Sequence, residues 1–105
     1  MSFNIFKKMQ QVKEKMGQAQ EAAKQKTVEV TVGGGMVTAV VDGSQQIISI
    51  KIDKQVVDPE DVEMLEDLVL SAVNDGLRKS KELMAKEMAK FAKDLGVPPQ
   101  LLGQL

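Results

Sequence analysis

The sequence predicts an α+β fold in which a three-stranded antiparallel meander is flanked by two long helices. Residues 27–53 alternate apolar and polar side chains with the period of two that is typical of β-strands. Before this stretch apolar residues recur every three or four positions, and after it Asp58-Pro59 opens a second helical segment. A chain of 105 residues is expected to form one domain. We divide it into a helical arm (1–26), the meander (27–57), a long helix (58–95) and a loose tail (96–105).

Residues 4–25 are predicted to form one amphipathic helix. Its apolar side chains follow a 4-3-4-3-4 spacing, which is typical of an a/d seam: Ile5, Met9, Val12, Met16, Ala19 and Ala23. Lysines border both edges of this seam. Their stems can lie over the seam while the ammonium groups stay in water, or the ammonium groups can contact phosphates. The residues alone favour neither interpretation.

The meander is predicted as strands at Thr27–Val32, residues 36–41 and Ile47–Ile52. The three glycines at 33–35 are interpreted as a hairpin connection, since no GxxxxGK[ST] motif and no helix follow them, as a phosphate-binding loop would require. Asp42-Gly43 predicts the second turn, because both residue types accept positive φ.

Alternation along the strands assigns one face of the sheet to the core. That face is expected to carry Val28, Val30, Val32, Val37, Ala39, Val41, Ile48, Ile50 and Ile52. Val40 and Ile47 fall on the opposite face, which is therefore not wholly polar. A small sheet with an apolar second face and open edges tends to find a partner, so we predict a dimer interface that includes Val40 and Ile47.

The second helix is predicted to begin with Asp58 as N-cap and Pro59 at the first helical position, and to stop before Gly96. Its apolar stripe changes direction along the chain, which predicts a helix that is bent or split near residues 74–76. The acidic residues at its start are explained by helix initiation and solubility. The alternative of a carboxylate metal site lacks a second ligand cluster.

Composition excludes several function classes. The chain has no cysteine and no histidine, which removes Cys/His zinc sites, thiol nucleophiles and Ser-His-Asp triads. We therefore expect neither an enzyme nor a cofactor. The only aromatic residues are three phenylalanines, too few to stack the bases of a single strand. No apolar run is long enough for a signal peptide or a membrane span, so we expect a soluble, cytoplasmic protein without membrane contact.

Charge is distributed unevenly along the chain although the net charge is only −1. Residues 1–26 carry six lysines against two glutamates, and residues 76–105 carry six basic residues against three acidic ones. Residues 58–75 carry seven acids and no base. Two basic ends around an acidic middle point weakly to an anionic partner at the ends.

The run GGGMVTAVVDGSQQIISIKID, followed by DPEDVEMLEDLVLSAVNDGLRKSKE, resembles the YbaB/EbfC family of bacterial nucleoid-associated proteins. The resemblance rests on SIKID at 49–53, EMLEDLV at 63–69 and AVND at 72–75, and it covers nearly the whole chain. It implies a tweezer-like homodimer in which the sheets form the centre and the helices project as arms. It also implies a cytoplasmic, nucleoid-associated protein that binds double-stranded DNA and organises the chromosome, with gene regulation as a further option.

Carried onto this sequence, the resemblance places DNA contacts on both arms. The candidate residues are Lys7, Lys8, Lys13, Lys15, Arg78, Lys79, Lys81 and Lys86. Lysine provides a point charge suited to phosphates, whereas bidentate recognition of guanine favours arginine, of which the chain has one. We therefore expect little sequence specificity. The alternative is a protein-interaction module that has no direct DNA role and whose arms bind a recombination or repair factor.

Overall fold

A computed structural model describes residues 2–96 and shows a helix, a three-stranded sheet and a second helix in that order. Helix α1 spans Ser2–Gln25, strands β1, β2 and β3 span Thr27–Val32, Val37–Asp42 and Ile47–Ile52, a 3-10 turn occupies Lys54–Val56, and helix α2 spans Val62–Asp94. The predicted α+β class and the order of elements are confirmed. Of the loose tail predicted at 96–105, residues 97–105 lie outside the described residues.

The sheet is an antiparallel meander in the order β1-β2-β3. Val30 lies opposite Ala39, and Val37 lies opposite Ile52. The β1–β2 connection confirms the hairpin interpretation of the glycine run, because all three glycines adopt positive φ and no helix begins after them.

Helix α2 packs its first half on the face of the sheet that carries Val37, Ala39 and Val41. All three side chains are fully buried, as alternation along β2 predicts. Ala72 of α2 is fully buried against this face, and Leu68 packs beside it. The core is therefore small and aliphatic, and it lies between β2 and the middle of α2.

Strand β3 corrects one prediction. Ile50 and Ile52 lie opposite Ala39 and Val37, so they are on the expected face, yet the isoleucines of β3 are 39–57% exposed. A helix about 10 Å wide covers roughly two strands spaced about 4.8 Å apart, so the third strand stays uncovered. A register shift between Val40 and Val41 also pairs Ile47 with the core-facing Val41, which corrects the prediction that Ile47 shares the opposite face with Val40.

The start of α2 corrects a second prediction. Asp61, not Asp58, caps the helix, since its carboxylate accepts a 3.2 Å hydrogen bond from the Met64 amide. Asp58 instead closes a turn, with its side chain accepting from the Glu60 amide at 3.0 Å. Pro59 therefore lies in the turn that precedes α2 and not at the first helical position.

Helix α2 is continuous over 33 residues, about 50 Å, so the predicted split near 74–76 does not occur. Gly76 serves close packing: a Cβ there would lie 2.7 Å from Val41 Cγ2. The stripe changes direction because the two halves of α2 have different neighbours. The first half faces the sheet, and the second half faces α1.

The molecule is elongated, with principal extents of 70 × 22 × 17 Å. The C-terminal end of α1 is fixed to the β2–β3 turn, where the Gly43 amide donates to the Ala23 carbonyl at 2.9 Å. The N-terminal half of α1 shares a groove with Asp94, Leu95 and Gly96. Helix α1 thus runs antiparallel to the second half of α2. The arm denotes this helical pair, which adds the second half of α2 to the helical arm predicted at residues 1–26.

Candidate nucleic-acid interface

All eight predicted DNA contacts lie on the arm. Their side chains are exposed, apart from the half-buried Lys15. The acidic start of α2 lies at the other end of the molecule, over the sheet, and Asp58, Glu60, Asp61, Glu63, Glu66 and Asp67 are all exposed there. One end of the molecule is therefore negative and the arm is positive. A polyanion approaching this surface is attracted to the arm and repelled by the start of α2.

Two lysines of α1 border an apolar groove. Lys8 and Lys13 line it together with Met9, Val12 and Met16. Its far end is formed by the last residues of α2. Both interpretations of these lysines are compatible with this geometry, since a lysine stem can lie along the groove while its ammonium group points to a phosphate.

On α2 the predicted cations differ in whether an acidic side chain lies close to them. Arg78 lies 3.5 Å from the Asp75 carboxylate, in an i,i+3 pair whose arginine side chain is 65% exposed. Such a surface pair contributes under about 1 kcal/mol, so it weakens the field of Arg78 without immobilising it. Lys79, Lys81 and Lys86 are exposed on the same half of the helix.

Lys24 is a cation that the predicted set left out. It lines a polar cleft with Lys81, between the end of α1 and the β2–β3 turn residues Ser44 and Gln46. The two lysines are 57 positions apart in sequence, and only the folding of the arm brings them to one cleft. The signal available in the sequence was the position of Lys24 at the edge of the apolar seam.

Glu87 organises two further lysines that are structural. Its side chain is only 5% exposed, and its Oε1 lies 2.5 Å from Lys26 Nζ and 3.3 Å from Lys90 Nζ. The hydrogen bond from Lys26, followed by that from Lys90, holds the pKa of Glu87 below its usual range although burial opposes this. The same contact raises the pKa of Lys26. These two ammonium groups therefore form structural ion pairs with Glu87 at the base of the arm.

The β2–β3 turn holds the arm against the sheet. The Asp42 carboxylate accepts from the Ser44 hydroxyl at 2.7 Å and from the Ser44 and Gln46 amides at 2.8 and 3.0 Å. The Ser44 hydroxyl, with smaller help from the amides and from the charge of Lys24, keeps the pKa of Asp42 below its usual range against the effect of burial. A buried carboxylate with this many donors fixes the turn as a rigid support.

In the described part of the chain, residues 2–96, no helix has a stretch long and apolar enough to cross a membrane. The same residues contain no group of three or more His, Cys, Asp or Glu side chains placed to hold a metal ion. The exposed acids at the start of α2 are accounted for by the Asp61 cap and by their favourable position at the positive end of the helix.

Comparison with known proteins decides the family. Residues 2–95 match the model of the YbaB/EbfC DNA-binding family. This chain belongs to that family. Its relatives include a nucleoid-associated protein of Syntrophobacter fumaroxidans, 57% identical over 96 residues, which cover 89% of this chain and 87% of the relative. A nucleoid-associated protein of Thermoanaerobacter sp. strain X514 is 53% identical over 95 residues, covering 90% and 86%.

A solved structure supports the fold of this YbaB/EbfC member. The crystal structure of an uncharacterized Helicobacter pylori protein superimposes with a TM-score of 0.61 at 28% identity, covering 70% of this chain and 86% of that one. The family assignment confirms the resemblance noted in the sequence and gives DNA as the partner. The YbaB/EbfC family is not enzymatic, which confirms that prediction, and membership does not favour the alternative of a module without a DNA role.

Proposed function

We propose that this YbaB/EbfC protein is a nucleoid component that binds duplex DNA as a homodimer and organises the chromosome. The observation that carries the proposal is the separation of charge: the candidate cations project from one arm, and the acidic start of α2 lies over the sheet. Relatives more than 50% identical are named nucleoid-associated proteins, which supports the nucleoid as its location.

The arm has the dimensions that backbone contact requires. Helix α1 has 24 residues, about 36 Å, which is about one turn of duplex DNA. Lys7 and Lys24 lie about 26 Å apart along this helix, so they can contact phosphates roughly seven base pairs apart. Phosphate contacts fix the position of a protein on the duplex but carry no sequence information.

Low sequence specificity follows from the kind of cations present. The one arginine, Arg78, already faces Asp75, and the other candidates are lysines. Lysine provides a charge without the planar fork that recognises guanine. A role in gene regulation would then act through occupancy of many sites and not through one operator.

The uncovered sheet supports the homodimer. Ile47, Ile48, Ile50 and Ile52 of β3 are all substantially exposed, and Val57, just after the 3-10 turn, is 54% exposed. Val40 lies on the face opposite the core and is half-buried. A second copy that covers this surface would remove apolar area from water and would set two arms at a fixed spacing. Val40, on the face opposite the core, and Ile47, on the edge strand β3, remain our candidates for that interface.

A salt titration of DNA binding tests the proposal. If lysines neutralise phosphates, log Kd should rise steeply with log salt concentration, by about 0.9 for each phosphate contacted. Duplexes of equal length and unrelated sequence should bind within a few-fold of each other. Sedimentation at the same protein concentrations should show a dimer. Binding that is insensitive to salt, or that depends on one sequence, would contradict the proposal.

A further inference from the structure

The apolar seam of α1 is buried at one end of the helix and exposed at the other. Ala19 and Ala23 are fully buried against the rest of the molecule. Ile5 and Met9, on the same seam, are 63% and 62% exposed. Residues 2–96 therefore leave most of these two side chains uncovered, and we call Ile5 and Met9 the open seam.

Positive charge borders the open seam. Lys8 and Lys13 line the same groove, both are exposed, and neither forms an ion pair with an acidic side chain among residues 2–96. Asp94 also lines the groove and offsets one of these charges at most. A surface that complements this part of the arm must therefore combine apolar and acidic side chains.

The first half of α2 carries such a surface on its outer side. Leu65 and Leu68 pack against the core. At 3.6 residues per turn, Glu63, Asp67 and Leu70 then point away from the core. Leu70 is 60% exposed although it is apolar, and acidic side chains surround it. We call this surface the outer face, and it consists of Glu63, Glu66, Asp67 and Leu70.

The open seam and the outer face lie too far apart to meet within one copy of the chain. The groove that contains the open seam is lined at its far end by Leu95. Leu70 and Leu95 are about 38 Å apart along the continuous helix α2. A contact between the two surfaces therefore joins two copies.

We propose that the open seam of one copy docks on the outer face of a second copy. Leu70 enters the groove beside Met9, and the acidic side chains around it face Lys8 and Lys13. The contact removes apolar area from water on both surfaces and brings opposite charges together. Docking withholds these two lysines from DNA. This last consequence alone rests on the proposed function.

Salt-dependent self-association of the native protein tests the docking without DNA, so its failure is distinct from a failure to bind DNA. At ~50 mM salt, the weight-average mass in sedimentation should rise at least about 1.5-fold between ~10 μM and ~1 mM protein, as expected for a small, weak interface. At ~1 M salt the Debye length falls to about 3 Å and this rise should disappear. A mass that does not change with protein concentration at low salt would overturn the proposal.

Charge reversal identifies the two surfaces. Lys8→Glu with Lys13→Glu reverses the border of the open seam, and Glu63→Lys with Asp67→Lys reverses the outer face. Each pair should abolish the rise in mass, because like charges then face each other. All four substitutions in one chain should restore it, since the charges are again opposite. Each rise is measured against the same variant at ~1 M salt, where charge attraction is screened.

A matched control separates complementarity from net charge, because a net charge near zero itself promotes association. Lys8→Glu with Lys13→Glu is combined with Glu21→Lys and Glu29→Lys, at exposed positions outside the outer face. This control has the same net charge as the fourfold exchange and should not self-associate. Restored association in the control would overturn the proposal. So would an unchanged rise in mass after reversal of either surface alone.

Discussion

The Ser80 hydroxyl donates a 2.6 Å hydrogen bond to the Asp42 backbone carbonyl and so ties helix α2 to the turn between β2 and β3. The same oxygen accepts a 2.9 Å hydrogen bond from the Gln45 amide, and Gln45 adopts a positive φ of 65°. Ser80 is fully buried. One hydroxyl therefore bonds to two backbone groups of the turn at the base of the arm, which are also joined by a 3.3 Å hydrogen bond from the Gln45 amide to the Asp42 carbonyl.

Ser80→Ala is expected to destabilise the protein by about 1–3 kcal/mol, because it leaves the Asp42 carbonyl buried without this donor. Urea denaturation at one fixed protein concentration measures the effect, since the stability of a dimer depends on concentration. Ser71→Ala, at an exposed position of the same helix, is the matched control and should change stability by less than about 0.5 kcal/mol. Equal effects of the two substitutions would show that the link to the turn contributes nothing.

The Ser80 link shows which parts of the fold could be predicted from the sequence. Alternation in β2 predicted the buried set of Val37, Ala39 and Val41, because the period of two is a local property. The apolar spacing of α1 predicted the buried Ala19 and Ala23 for the same reason. A serine within an apolar stripe gives no local sign that it bonds to a turn 38 positions earlier.

The errors share one physical cause. Periodicity assigns a side chain to a face but does not say how far the neighbouring element extends, so Ile50 and Ile52 were expected in a core that α2 does not cover. Likewise a split near Gly76 was allowed for, because the close approach of Gly76 to Val41 depends on the packing of α2 on the sheet. In the candidate interface, Lys24 was left out since its proximity to Lys81 exists only in the folded arm.

Glu87 should make stability depend on pH at the acidic end. Its pKa is lowered on folding, mainly by Lys26, so the ion pairs stabilise the fold above the usual glutamate pKa and are lost as pH falls through the lower, folded value. Glu87→Gln should therefore lower the urea midpoint at neutral pH, and the difference from the native protein should shrink towards about pH 3. Circular dichroism at a series of pH values measures this.

The control for Glu87 is Glu82→Gln, an exposed position on the same helix, where little change in midpoint is expected at either pH. A Glu87→Gln difference that stays constant from neutral to acidic pH would show that its contribution is packing and not charge.

The arm lysines should matter to DNA by position and not only by net charge. Lys8→Glu with Lys13→Glu is expected to weaken binding at least about tenfold and to reduce the salt slope by about 2, because two phosphate contacts are lost. Lys51→Glu with Lys54→Glu makes the same change in charge at exposed positions of the sheet end and should cost only a few-fold. Gel retardation across a salt series compares the two. If both pairs weaken binding equally, the arm is not the binding surface.

The sheet should contribute to DNA binding only by joining two arms. Ile47 is 43% exposed on β3, so Ile47→Glu can place a charge in the proposed interface without disturbing the buried core. We expect a folded monomer in sedimentation and a loss of at least about tenfold in DNA affinity, since one arm then binds without the second. Ile47→Val keeps the site apolar and should preserve both the dimer and the affinity. A folded Ile47→Glu monomer that binds DNA as tightly as the native protein would show that pairing of the arms is unnecessary. A persistent dimer would instead place the interface away from Ile47.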